Sequence, residues 1–143
     1  MAEKGPIRVF IADDFDLLRQ VMHKLLEDAE DIEVVGEAPH LEEAMAETKT
    51  LQPDVIIMND YLPPIDSAYA SRLFRELGIS GAILIVSMHA EPDLIKQSLN
   101  NGANGFMRKD EMGELLVEAI RRVHEGRQYL SPEAERALSN ARD

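Results

Sequence analysis

Pro53-Asp54-Val55-Ile56-Ile57-Met58-Asn59 is the stretch that decides the fold. Val55–Met58 is unbroken apolar sequence, mostly β-branched, with Pro53 before it and Pro63-Pro64 shortly after. A short run of this kind between breakers reads as a strand covered on both faces, since a half-exposed strand would alternate apolar and polar. Working outward, similar runs occupy Ile7–Ala12, Ile32–Glu37, Ala82–Val86 and Gly105–Met107. Between them the apolar spacing turns helical: Leu18, Val21, Met22, Leu25 and Leu26; Leu41, Ala44, Met45 and Thr48; Ala70, Leu73, Phe74 and Leu77; Leu94, Ile95, Ser98 and Leu99; Leu115, Leu116, Ala119, Ile120 and Val123. Strand and helix alternating along the whole chain predict an α/β domain, a parallel sheet with helices on both faces. Right-handed crossovers restrict its topology to a few choices.

In such folds ligands bind at the carboxyl ends of the strands. That rule selects Asp13-Asp14, Asn59, Ser87 and Lys109, each following its own apolar run. Adjacent acids at Asp13-Asp14 suit a hard divalent cation, because Mg²⁺ needs only one or two carboxylates and keeps several waters. The plainer role is that Asp14 or Asp16 caps the following helix, Phe15 to Asp28. A carboxylate at 59 would attack phosphorus; the amide of Asn59 is neutral and a poor nucleophile. Asp60 is next in sequence, but side chains alternate along a strand, so it points elsewhere. Pro63-Pro64 forces a tight loop beside the pocket. The Ser87 hydroxyl could bond a phosphoryl oxygen, or simply end a strand. Lys109 could balance the acids and hold phosphate as a point charge, or pair at the surface with Asp110 or Glu111. Phe106 reads as core, with a mobile aromatic as the sharper alternative, and His89 as a loop histidine.

The rest of the chain narrows the classes. With 143 residues, 45% hydrophobic and 29% charged, it is one globular domain with a sizeable core. It has no cysteine, hence no disulfide or thiolate metal site, and leans toward a cytoplasmic location. No signal peptide and no membrane-length apolar run is present. A net charge of −12 without a basic stripe argues against a grip on nucleic acid by this chain alone. Gly126 closes the last strand–helix repeat, and Ser131-Pro132-Glu133 is a helix start. Its apolar stripe, Ala134, Ala137, Leu138 and Ala141, is weak, so residues 127–143 read as a tail or the start of a linker after a domain spanning 1–126.

In combination the segments Ile11-Ala12-Asp13-Asp14-Phe15, Pro53–Asn59 with Leu62-Pro63, Ile85-Val86-Ser87 and Gly102–Lys109 resemble the receiver domain of a two-component response regulator. The resemblance covers about residues 6 to 126. His89–Gly102 and Tyr129-Leu130-Ser131-Pro132-Glu133 are further similar to the NarL/FixJ-type, or LuxR-type, subfamily. The resemblance implies a flavodoxin-like, doubly wound domain with a five-stranded parallel sheet in the order 2-1-3-4-5 and five helices. It also implies site roles. Asp14 would be a direct Mg²⁺ ligand, Asp13 a supporting one, and Tyr61 would lend its backbone carbonyl. Asn59 occupies the phosphoacceptor position and would ligate metal only weakly, Ser87 that of the switch hydroxyl, Lys109 that of the phosphate-binding lysine, and Phe106 that of the switch aromatic. The implied partners are a sensor histidine kinase that donates the phosphoryl group, a second copy in a homodimer, and DNA only through an output domain outside this chain. No membrane partner and no enzymatic turnover are expected.

The departures matter as much. Asn59 removes the acceptor and one negative charge, which weakens Mg²⁺. Ser67 stands where relatives commonly have glycine, so either serine is strained there or the loop differs. Asp110 replaces the proline that often follows the lysine. Three functions stay open on sequence: a receiver resting in its unphosphorylated state, whether by natural or engineered replacement of its aspartate; a phosphorylation-independent pseudo-receiver acting as an interaction module; and a small α/β phosphatase using Asp60 or Asp13.

Overall fold

The computed structural model describes residues 5–141, so residues 1–4 of the expected domain and 142–143 of the expected tail lie outside the described residues. In chain order the elements are β1 (Ile7–Ala12), α1 (Asp16–Leu26), β2 (Ile32–Ala38), α2 (Leu41–Leu51), β3 (Val55–Asn59), β4 (Tyr61–Leu62), β5 (Ile65–Asp66), α3 (Ser67–Glu76), β6 (Ala82–Ser87), α4 (Pro92–Asn100), β7 (Gly105–Arg108), α5 (Met112–His124), β8 (Tyr129–Leu130) and α6 (Pro132–Asn140). The main sheet runs β2-β1-β3-β6-β7-β8, and every pairing in it is parallel.

β3 is buried at every residue, as its apolar run requires. Alternation along the strands splits the core in two. Val9, Ile11, Val55, Ile57, Leu84, Val86 and Met107 face α1 and α5. Phe10, Ala12, Ile56, Met58, Ile83, Ile85 and Phe106 face the layer that contains α2, α3, α4 and α6.

One expectation is corrected: among the described residues the sheet has six parallel strands and the domain six α-helices, where five and five were expected. The additions come from the stretch read as a tail. β8 is only two residues long, too short for any periodicity to register. Gly105 makes room for it, since a Cβ there would lie 3.0 Å from the Tyr129 carbonyl oxygen. Gly126, at φ +87°, turns the chain back from α5 toward that edge. Ser131 then caps α6 by accepting the Ala134 N–H, and Ala134 is fully buried.

The loop expectations resolve as well. Tyr61–Leu62 and Ile65–Asp66 pair as a small antiparallel ribbon with Pro63-Pro64 at its turn. Ser67 carries no positive φ; it begins α3, whose N-cap is Asp66, accepting the Tyr69 N–H at 2.9 Å. Serine is therefore unstrained there. No helix among the described residues is long and apolar enough to cross a membrane.

Candidate functional site

The sheet's parallel register fixes the site before any side chain is considered. Ala12 pairs with Met58, Asn59 with Val86, and Ser87 with Arg108. Asp13, Asn59, Ser87 and Lys109 therefore sit at one edge, on four adjacent strand ends.

Asp13 is fully buried. Its Oδ1 accepts the Phe15 N–H at 2.9 Å, and its Oδ2 lies 3.9 Å from Lys109 Nζ without a hydrogen bond. Burial pushes the Asp13 carboxyl up, against the opposing pull of the Phe15 N–H and the Lys109 charge. Asp14 is exposed at the rim. Neither Asp14 nor Asp16 caps α1; the N-cap is Phe15, which has no side-chain oxygen to offer.

Asn59 is 7% exposed. Its Nδ2 donates to the Tyr61 carbonyl at 2.8 Å, while its Oδ1 is buried and accepts nothing. Ser87 is buried and tied twice: its Oγ lies 2.8 Å from Asp60 Oδ2 and 2.7 Å from the His89 carbonyl, and it accepts the His89 N–H at 3.1 Å. One hydroxyl proton serves one of those two acceptors at a time. Asp60 is the partner of Ser87, a role that sequence reasoning missed. Its only signal was its place between Asn59 and the Tyr61 turn. Phe106 is fully buried in β7, and the His89 side chain is exposed.

For a divalent cation the donor set is incomplete. Asp13, Asp14 and Asn59 Oδ1 could turn oxygens toward one, and the unpartnered Asp13 Oδ2 and Asn59 Oδ1 fit that use. The Tyr61 carbonyl is already engaged. Among the described residues no three His, Cys, Asp or Glu side chains gather to hold a metal ion. What remains is two carboxylates and weak neutral oxygens.

Residues 9–121 match the response regulator receiver domain. The chain is 32% identical over 133 residues to the response regulator GacA of Pseudomonas aeruginosa, covering 93% of this chain and 62% of that one. It is 31% identical over 126 residues to the transcriptional regulatory protein NarL of Mycobacterium tuberculosis, covering 88% of this chain and 58% of that one. The solved signal receiver domain of that NarL superposes with a TM-score of 0.82 at 31% identity, covering 87% of this chain and 100% of the domain. A two-component response regulator of the LuxR family from an Aurantimonas species superposes at 0.90 with 28% identity, covering 96% and 99%. The chain spans about three fifths of the length of the first curated relatives it matches.

Proposed function

The chain belongs to the response regulator receiver domain family, with relatives of the NarL and LuxR type, and from that premise we propose that it is a receiver that cannot take up phosphate. The observation that carries this is Asn59. It ends the central strand β3, at the position the family resemblance gives to the phosphoacceptor, and the ends of β1, β6 and β7 bring a buried Asp13, Ser87 and Lys109 to the same edge. In a working receiver a carboxylate oxygen at 59 attacks the phosphorus of a kinase phosphohistidine. An acyl phosphate forms, and the phosphorus–nitrogen bond breaks. A carboxamide lacks the anionic oxygen that starts this step.

The remaining roles follow the expected assignment. Asp13 and Asp14 would be the residues to hold Mg²⁺, while Asn59 and the Tyr61 carbonyl, already bonded to each other, would offer it little. Lys109 and Ser87 receive the phosphoryl oxygens in an aspartate form. Ser87 and Phe106 are the switch pair that biases the α4–β7–α5 face. The partners are a sensor histidine kinase, a second copy of the chain, and DNA only through an output domain outside it. The chain is a cytoplasmic signalling protein with no catalytic turnover of its own.

A second reading, a phosphorylation-independent interaction module, is favoured by the Asn59–Tyr61 hydrogen bond, which gives the amide a structural place. One experiment separates the two. Asn59→Asp and the unaltered chain are treated with a small-molecule phosphodonor and Mg²⁺, and intact mass is measured. One phosphate on the variant alone is expected. Uptake by neither chain would leave the interaction module as the function.

A further inference from the structure

The Asn59 carboxamide does more than lack a charge. It ends β3, and the chain turns so that the Tyr61 carbonyl lies 2.8 Å from its Nδ2. The orientation of the amide is fixed by chemistry, because a carbonyl oxygen only accepts and so must face the NH₂ end. Oδ1 is thereby turned away, buried and without a partner.

We infer that Asn59 closes its own metal position: its N–H takes up the Tyr61 carbonyl oxygen, one of the donors that the family resemblance would give a cation here. This deepens the receiver reading and rests on it. A hard cation takes oxygen ligands, and the family resemblance would give it the Tyr61 carbonyl and a side-chain oxygen at 59. Here the lone pair is taken and the facing atom is a donor with partial positive charge. To admit the ion, the amide must release the carbonyl and turn over. Loss of one neutral hydrogen bond weakens binding about fivefold by itself.

The charges agree with this. Asp13 is fully buried with Lys109 Nζ 3.9 Å from its Oδ2, so its negative charge already has a counter-charge. An aspartate at 59 would add a further buried negative charge and demand a cation; the amide demands none. Lys109 and one N–H dipole together take over the charge balance an ion would supply, while Asp13 Oδ2 and Asn59 Oδ1 keep no hydrogen bond.

The test uses the whole chain, labelled with ¹⁵N, and MgCl₂ as the probe. The Asn59 side-chain NH₂ resonances are identified by their loss in Asn59→Asp. Their exchange with water is expected to be about tenfold or more slower than that of the exposed Asn140 side chain. They should not move on addition of MgCl₂, whereas the backbone amides of Asp60–Leu62 should move in Asn59→Asp. The inference is overturned by fast exchange of the Asn59 NH₂, by its displacement with MgCl₂ in the unaltered chain, or by an Asn59→Asp variant equally indifferent to the ion. Failure of the receiver reading shows separately, as absence of phosphate on Asn59→Asp by mass.

Discussion

Ser87 carries a structural burden that its place at a strand end does not reveal. Its hydroxyl meets the Asp60 carboxylate and the His89 backbone at once, so it fastens the ends of β3 and β6 to the loop after β6. Ser87→Ala removes the partner of Asp60 Oδ2 and of the His89 N–H together. Both stand next to water, so the cost is about 1–2 kcal/mol, below that of fully buried orphans. Urea unfolding should show it as a lower midpoint with an unchanged slope. Ser87, Lys109 and Asn59 were legible because each ends an apolar run, and the ends of parallel strands converge. The pairing of Asp60 with Ser87 was not, because strand alternation says which way a side chain departs and not what it meets across a loop.

Between elements, two of the ties that hold the helical layers to the loops lie outside any periodic signal. Arg121 of α5 grips Asp31, ahead of β2, through two hydrogen bonds of 2.8 Å. The guanidinium holds the Asp31 carboxyl below its ordinary 3.8. A lowered folded-state value means that the tie stabilises the fold above the unfolded value and fades as pH falls through the folded one. Asp31→Asn should therefore lower the melting midpoint modestly at neutral pH and at low ionic strength, since the pair is half-exposed and screened. The gap to the parent should close as the pH falls below 3.8, which thermal melts across pH would record. The second tie is Glu111. One carboxylate oxygen accepts the Arg108 N–H at 3.0 Å and the other the Glu133 N–H at 3.1 Å, so the end of β7 is joined to the first turn of α6. Glu111→Ala leaves both donors without that partner. It should cost about 1–2 kcal/mol and speed amide exchange across Pro132–Asn140 above the rest of the chain. The helices themselves were legible wherever an apolar stripe met the sheet, as in Ala119, Ile120 and Val123. Val21, counted in such a stripe, is 40% exposed, because α1 covers the sheet with Met22 and Leu26 and leaves Val21 at the margin.

Over the whole molecule, the doubly wound core could be read from the order of apolar runs alone, while the outer edge of the sheet could not. The last strand pairs only Gly105 with Tyr129 and Phe106 with Leu130, a contact made possible by a missing side chain and invisible to any pattern. The helix after it buries Ala134 and packs Ala137 and Leu138 beside it, a stripe that looks weak until the neighbouring surface is known. Ending the chain at Gly126 tests how far this edge belongs to the domain. The cut would uncover Phe106, now fully buried, and remove Tyr129 and Ala134, now at 8% and 0% exposure. One large side chain buried is worth about 1.5–3 kcal/mol, so the shortened chain should lose about 3 kcal/mol or more against residues 1–143. It would also present β7 as an open edge with free backbone donors and acceptors, a template for pairing with a second copy. A net charge of −12 opposes that pairing at low salt, so self-association should appear as ionic strength rises. Sedimentation of the two chains across a salt series, alongside their melts, decides the matter. A shortened chain that stays monomeric and as stable as its parent would show that the domain ends at Gly126 and that the sixth strand merely leans on it.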